Sequence, residues 1–423
     1  MANSLASNIS SVVLPMFMEE FEANKVILKT IDKQTFDGQF NPSRGTTISV
    51  KRPHDYRVSR TSDGDLTSET ASDIISGKAT ATVQNYFTVT TEFGNLEEAT
   101  SLDQLRDILR PMATRIITDL ETDFASYMMK NAGLVYGTVG TAIDAWTDVS
   151  GAAAFMRSMG VPEDEKWCYV TNPHTGAALA ALQTALSPGQ GTKVDTAWEN
   201  AIVSNNMGGF RVMQSNALAS RTNTTAADLA GILAAAPTLT YLGAKDTMTQ
   251  AWSVSGFTGS AVIKAGSVVQ VTGKYRQSLA TRQPILDASG AQVLFRAVVT
   301  ADVTLSTAGA GVITVSSPGI YEATGQYNTT TAALAQNDVV TIQGTSAAVY
   351  QPALFYHPKA FTLATVKLPK LAATDTNTAT QDGMTLRVTR WSDGTKNKQK
   401  IRFDLLPAYG VLNPHFAGQA YGI

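Results

Sequence analysis

Residue types that do chemistry are few in this chain, and they do not converge. Its four histidines are His54, His174, His357 and His415. None stands at metal-ligand spacing from another His, a Cys or a pair of carboxylates. His174 follows Pro173 and His357 precedes Pro358, which assigns both to turns or helix starts. The one cysteine, Cys168, lies in the apolar run Trp167-Cys168-Tyr169-Val170 and reads as a small buried hydrophobe rather than a nucleophile. Gly189-Gln190-Gly191-Thr192-Lys193 looks like a phosphate loop but lacks the four-residue gap before Gly-Lys-Ser/Thr, and it does not follow a strand. Glu19, Glu20 and Glu22, and Glu97 with Glu98, read as solvated helix faces or first-turn charges. No G-x-S-x-G elbow is present. The catalytic, cofactor-binding and metal sets are therefore empty, and the expected function is not an enzyme's.

Two groups of charges remain. Between an expected strand at Thr46–Lys51 and a longer one at Ala79–Phe93 lie about 27 mostly polar residues, long for a connection without a purpose. Their charges are segregated: Lys51, Arg52, Arg57 and Arg60 come first, then Asp63, Asp65, Glu69 and Asp73. This is either a solvated loop or a projecting two-stranded arm that grips an adjacent subunit by complementary charge. Near the end of the chain, Lys396, Lys398, Lys400 and Arg402 alternate onto one side of a strand, with Arg387 and Arg390 nearby. A strand edge, solvated or at an interface, is the first reading; weak, sequence-independent contact with nucleic acid is the second.

The elements that carry these groups are organised around Ser101–Gly133. There Leu102, Leu105, Ile108, Leu109, Met112, Ile116, Leu120, Phe124, Tyr127 and Met128 recur at steps of three and four, one face of a helix. Ser101 with Gln104 forms a capping box, and Asn131-Ala132-Gly133 supplies the stop. A helix of this length would run roughly 48 Å, and Pro111, which removes one internal hydrogen bond, predicts a bend near Arg110. It reads as the spine of an extended, plate-like subunit.

Ahead of it, residues 3–32 read as an amphipathic helical arm whose apolar stripe includes Phe17 and Phe21. In Ala79–Phe93, Ala79, Ala81, Val83, Phe87, Val89 and Phe93 alternate with polar residues, as in one long strand. After the spine, residues 134–222 suggest an α/β region. It holds a helix over Ala145–Met159 that packs Trp146, Val149, Ala153 and Met156, a buried strand at Trp167–Val170, and a helix from Thr171 through Leu182. Further on come a loop at Ser187–Gly191, a helix striped by Val194, Trp198 and Ile202, and a strand at Phe210–Met213 after Gly208-Gly209. Residues 223–345 shift to Thr, Ser, Gly and Ala. Helical periodicity is confined to Ala226–Ala236, and short strands are expected at Val268–Val271, Val293–Val299, Val303–Leu305, Val312–Val315 and Val339–Ile342. Strands at this spacing indicate an inserted β-barrel or sandwich. Beyond Ala347, strands are expected at Ala360–Val366, Thr385–Trp391 and Lys400–Leu406, and the Thr- and Asn-rich Asp375–Gln381 reads as a loop.

Composition bounds the class of the chain. The 423 residues are 43% hydrophobic, which is globular, but only 16% charged, against roughly 25% in ordinary soluble domains. A surface poor in charge and rich in Thr, Ser and Ala suits contact with other protein. A net charge of −2 argues against a whole-protein grip on nucleic acid. A lone cysteine fits a reducing compartment. Neither a signal peptide nor an apolar run long enough to span a membrane is expected.

The order of these parts resembles the major capsid proteins of tailed bacteriophages, with the Hong Kong 97-type fold. Local phrases agree: Met159-Gly160-Val161-Pro162 leads to Trp167-Cys168-Tyr169-Val170 and Asn172-Pro173, then Gly208-Gly209-Phe210-Arg211-Val212. Phe355-Tyr356-His357-Pro358-Lys359-Ala360-Phe361 resembles the segment at which such proteins re-enter the axial lobe. An inserted β-barrel at 223–345 is most similar to coat proteins of short-tailed Salmonella and Shigella phages, the Shigella-phage member above all. The resemblance implies an α+β fold: N-terminal arm 1–40, E-loop hairpin and peripheral strands 41–98, spine helix 99–135, and axial domain 136–222. The inserted barrel 223–345 and a return 346–423 complete it. It further implies a virion shell of hexamers and pentamers, assembled in the bacterial cytoplasm on a scaffolding protein. A portal would sit at one vertex, and the shell would expand around double-stranded DNA. Intersubunit contacts are then expected at Arg52, Arg57, Arg60, Asp63, Asp65, Glu69, Asp73, Phe17 and Phe21, with spine bending at Pro111. Two rivals stand beside this: a tail or adhesin subunit that binds through the 223–345 module, and a hydrolase whose barrel holds substrate.

Overall fold

A computed structural model describes residues 25–36, 47–51, 56, 58, 61–67, 74–94, 105–184, 206–323, 326–369, 371, 375–381, 383–393, 395 and 398–423. The chain divides into two units. One comprises Met1–Ile48, Ala81–Ala125 and Phe361–Gly410; the other comprises Ser49–Thr80, Ser126–Ala360 and Val411–Ile423.

A five-stranded sheet, with Asp32–Phe36 and Phe361–Val366 wholly in the first unit, is ordered Asp32–Phe36, Phe361–Val366, Pro407–Val411, Lys78–Val83, Thr47–Lys51. A four-stranded antiparallel sheet is ordered Asp375–Gln381, Met384–Asp393, Lys398–Leu405, Phe87–Gly94. The spine helix runs from Leu105 to Asn131, continuous through Pro111, roughly 40 Å at 1.5 Å per residue. Its expected stripe is buried at Met112, Ile116, Leu120, Phe124 and Met128, whereas Pro111 is exposed. Phe124 packs edge-on against Tyr409 with ring centroids 5.1 Å apart.

In the second unit, a mixed six-stranded sheet is ordered Leu134–Tyr136, Ala417–Ala420, Ala353–Tyr356, Cys168–Thr171, Phe210–Gln214, Asn206–Met207. Helix Trp146–Met159 and helix Pro173–Thr184 contribute Val149, Ala153, Met156 and Leu179 to one core with Trp167, Tyr169, Phe210 and Phe355. The start of the second helix and the stop of the first follow from their sequences. Asn172 Oδ1 accepts the Thr175 N–H at 2.7 Å, and Gly160 closes the first helix at φ 82°. Gly208 and Gly209, both at positive φ, turn Asn206–Met207 into Phe210–Gln214.

Residues 230–342 hold a closed six-stranded barrel: Ala230–Leu233, Thr249–Ser255, Gly311–Ser316, Leu294–Val299, Val268–Tyr275, Val339–Ile342. Alternate residues fill it, among them Leu233, Trp252, Val254, Val269, Val271, Phe295, Ile313, Val315, Val340 and Ile342. Donors from the barrel complete the C-terminal end of the spine helix, whose last carbonyls have no partner within the helix. Ser316 Oγ donates to Ala132 O at 2.9 Å, and the fully buried Arg276 donates to Gly133 O at 3.1 Å. Gln419 Nε2 supplies Met129 O at 2.9 Å. Burial pulls the Arg276 guanidinium down to about 9; its donors go to neutral oxygens, and its charge lies 4.7 Å from the Phe295 ring centroid.

Five expectations are corrected. The end of the supposed helical arm is a 3-10 turn at Ile27–Lys29, followed by strand Asp32–Phe36 paired parallel with Phe361–Val366. The long strand Ala79–Phe93 is two strands, Lys78–Val83 and Phe87–Gly94, in different sheets. At the break the Gln84 N–H turns to Pro407 O at 2.9 Å. Ala226–Ala236 is not helical: Ala230–Leu233 is the strand that closes the barrel, pairing with both Thr249–Ser255 and Val339–Ile342. Asp375–Gln381 is a strand paired in register with Met384–Asp393, because β-branched Thr376, Thr378 and Thr380 favour the extended chain and Gly383 at φ 72° makes the turn. Trp146 is exposed at the helix start instead of packing with Val149. The helix striped by Val194, the loop Ser187–Gly191 and the capping box Ser101/Gln104 lie outside the described residues.

Candidate assembly surface

Of the expected charged contacts, Asp63 and Asp65 are described, whereas Arg52, Arg57, Arg60, Glu69, Asp73, Phe17 and Phe21 lie outside the described residues. Both aspartates are exposed, and their carboxylates organise backbone. Asp63 Oδ1 accepts the Asp65 N–H at 3.1 Å, and Asp65 Oδ1 accepts the Thr67 N–H at 2.9 Å and the Thr67 hydroxyl. The Thr67 hydroxyl and then its N–H hold the Asp65 carboxyl below the usual aspartate range. The segment offers something the charge pattern did not reveal: Tyr56, Val58, Leu66 and Ile74 are 55, 83, 58 and 73% exposed. Four large apolar side chains exposed on one connection are unusual for a solvated loop. The available signal was their place between charges, where a purely solvated loop has no use for them.

Cys168, His357 and His415, set aside as chemical candidates, have structural partners, whereas His54, Glu19, Glu20, Glu22, Glu97 and Glu98 lie outside the described residues. Cys168 is buried in its strand. His357, also buried, sits with Nε2 2.8 Å from Asp164 Oδ1, while its Nδ1 accepts the Lys359 N–H at 3.1 Å and so starts the turn Pro358–Ala360. Lys359 Nζ reaches Asp164 at 2.8 Å and Glu165 at 2.9 Å. Lys359 first, then His357, pulls the Asp164 carboxyl down to about 2. His415 Nδ1 lies 3.1 Å from the Ser317 hydroxyl. No metal-binding group of three or more His, Cys, Asp or Glu occurs among the described residues, and no helix there is long and apolar enough to cross a membrane. The phosphate-like loop 189–193 lies outside them.

The basic row also resolves. Lys398 and Lys400 both reach Glu92, at 2.6 and 3.4 Å, on the neighbouring strand. Arg402 pairs with Asp404 at 2.6 Å, and Arg390 donates to Gln399 at 2.7 Å. Lys396 lies outside the described residues. Sequence reading missed Glu121, a carboxylate on the buried stripe of the spine. Its Oε1 accepts the Val26 N–H at 2.7 Å and the Leu28 N–H at 3.2 Å, fixing the turn at Ile27–Lys29. A charge at a stripe position, one residue after Leu120, was the signal.

Among the described residues these charged groups are taken up in structural ion pairs and hydrogen bonds, and comparison with known proteins supplies the family. The family described as "P22 coat protein - gene protein 5" matches residues 1–422. The major capsid protein of Acyrthosiphon pisum secondary endosymbiont phage 1 is 38% identical over 427 residues, covering 100% of both chains. Among solved structures, the capsid of cyanophage P-SCSP1u is similar over 95% of this chain and 89% of that one, with 11% identity and a TM-score of 0.46. Mycobacterium phage Che8 is similar over 93% and 90%, with 10% identity and a TM-score of 0.44. The chain belongs to the P22 coat protein family, whose members are structural phage major capsid proteins.

Proposed function

We propose that this major capsid protein forms hexamers and pentamers of an icosahedral shell around double-stranded DNA, with a layout closest to coat proteins of short-tailed Salmonella and Shigella phages. The observation that carries this reading is the family match along residues 1–422. On this reading 1–40 is the arm, 41–98 the E-loop and peripheral strands, and 99–135 the spine. Residues 136–222 with 346–423 form the axial and returning peripheral parts, and 223–345 is the inserted domain.

Function resides in many weak, repeated interfaces. The hairpin lies over a neighbouring subunit, its Arg52, Arg57 and Arg60 and its Asp63, Asp65, Glu69 and Asp73 meeting opposite charges. Tyr56, Val58, Leu66 and Ile74 would lose their solvent there. Phe17 and Phe21 of the arm cross to another subunit. Assembly in the bacterial cytoplasm uses a scaffolding protein and a portal, and DNA is met by weak, non-specific contact. The shell expands on maturation, and the spine changes curvature at Pro111.

The test replaces Tyr56, Val58, Leu66 and Ile74 by Ser. Subunits that keep wild-type circular dichroism but no longer close shells support the reading; shells of normal yield would overturn the hairpin's part in it.

A further inference from the structure

The hairpin emerges from strand Thr47–Lys51 and returns at Lys78–Val83, yet residues Ser49–Thr80 cluster with the unit that contains the barrel. The reason is a specific grip at the returning end. Ile75 packs against Tyr241, Ala244, Met248, Ile320 and Tyr327, a cluster built on the barrel's own connections. Gly77 is buried so close to this region that a Cβ there would fall 2.5 Å from Lys245 O. One residue on, the Lys78 N–H donates to Asp246 Oδ1 at 3.0 Å.

The gripping segment is itself stiff. Thr240 caps the short helix Tyr241–Ala244 by accepting the Gly243 N–H on its side chain. The Met248 N–H bonds Ala244 O at 2.7 Å, with Met248 held at φ 53°, a left-handed conformation that costs a non-glycine residue. Tyr241 stacks on Tyr327 with centroids 3.6 Å apart and rings within 12° of parallel. A constrained turn of this kind is a mount, since it fixes what it holds in one direction.

We infer that the inserted barrel sets the aim of the hairpin, with Asp246 as the positioning residue and Gly77 as the close-approach point that lets the two backbones meet. The barrel thereby acts on the hairpin's contacts with other subunits. This rests on the hairpin being an intersubunit arm, as proposed above. Ile74, exposed next to the gripped Ile75, is then the first hairpin residue free to meet a neighbour. Orientation is what assembly needs from a long arm: a small angular error at Gly77 displaces the loop tip near Asp63–Asp65 by far more than a side-chain length.

Two variants and a rescue test this in the full chain. Asp246→Ala removes the acceptor, Gly77→Ala forces the backbones apart, and Asp246→Asn retains an oxygen for the Lys78 N–H. Hydrogen exchange of the isolated subunit should show the Gly77–Ala79 amides exchanging at least tenfold faster in Asp246→Ala, with barrel amides at Val269, Val271 and Val340 unchanged and Asp246→Asn restoring most of the protection. Expressed with the phage's scaffolding protein, Asp246→Ala and Gly77→Ala should close at least tenfold fewer shells, and Asp246→Asn should close shells near the wild-type yield. Asp287→Ala, which alters a barrel turn elsewhere, should leave both readouts unchanged. Normal shell yield from Asp246→Ala and Gly77→Ala would overturn the inference. So would loss of barrel protection in step with the hairpin, which would make Asp246 a barrel-stability residue. If the wild type itself formed no shells, the proposed function would fail instead.

Discussion

Arg387 and Asp404 stand directly opposite each other on adjacent strands, and their 2.7 Å ion pair is buried. Burial alone would raise the Asp404 carboxyl, but Arg387, Arg402 and Thr88 outweigh it and hold the group below the usual range. The pair lies within the row of basic residues that, in sequence, suggested contact with nucleic acid, and it is committed to the sheet. Removing Arg387 takes the buried partner from Asp404 and leaves it the partly exposed Arg402 and the Thr88 hydroxyl, a large part of the about 3–5 kcal/mol that breaking a buried pair costs. Arg387→Ala should therefore lower the urea midpoint of the subunit strongly, whereas the double change Arg387→Met with Asp404→Leu should lower it much less.

Glu121 gives a separable result at two pH values. Ala at this position leaves the Val26 and Leu28 N–H groups without their acceptor, at about 1–3 kcal/mol. Gln keeps an oxygen there and should be milder. Burial raises the Glu121 carboxyl above 4.5, with the backbone N–H groups opposing, so the folded chain holds the proton more tightly than the unfolded one. The stability of the wild type relative to Glu121→Gln should be highest below about pH 4.5 and fall as pH rises through the raised folded value, read by urea unfolding at pH 4 and pH 7.

Asp164 has the opposite sign. Lys359 and His357 lower its carboxyl from 3.8 to about 2, so its contribution is present above about pH 4 and disappears as pH falls toward 2. Asp164→Asn should be less stable than the wild type at pH 5, and the two should converge near pH 2 in acid-unfolding curves.

The barrel carries a steric prediction. A Cβ on Gly231 would lie 2.4 Å from a carbon of the Phe257 ring, in the strand that closes the barrel. Gly231→Ala should cost about 1–3 kcal/mol by overpacking, seen as a lowered Tm of the subunit.

These sites show how far sequence carries and where it stops. Helix Trp146–Met159, its Gly160 stop and the Gly208-Gly209 turn were legible because capping and positive φ are local requirements. The buried stripe of the spine was legible through its period. Ala226–Ala236 misled, because alanine's helix preference is weak beside the pairing that Ala230–Leu233 gains on both edges. The break at Gln84 was invisible because alternation continues in phase across it, from Val83 to Phe87, and only the partner strands of Lys78–Val83 and Phe87–Gly94 differ. The ion pairs of the basic row depend on three-dimensional neighbours, which spacing does not encode.

Pro111 is exposed within an unbroken helix, and its missing N–H leaves the Asp107 carbonyl without a helical donor. Pro111→Ala should strengthen the spine by up to about 3 kcal/mol and slow shell expansion on warming, followed by the change in particle diameter. Expansion at the wild-type rate would contradict a bending role.

As a capsid protein this chain acts by closing on copies of itself. Negative-stain electron microscopy of the wild-type chain expressed with its phage's scaffolding protein reads this out. Closed shells of uniform diameter are expected; a population of stable trimers or monomers alone, the outcome expected of a tail or adhesin subunit, would contradict it.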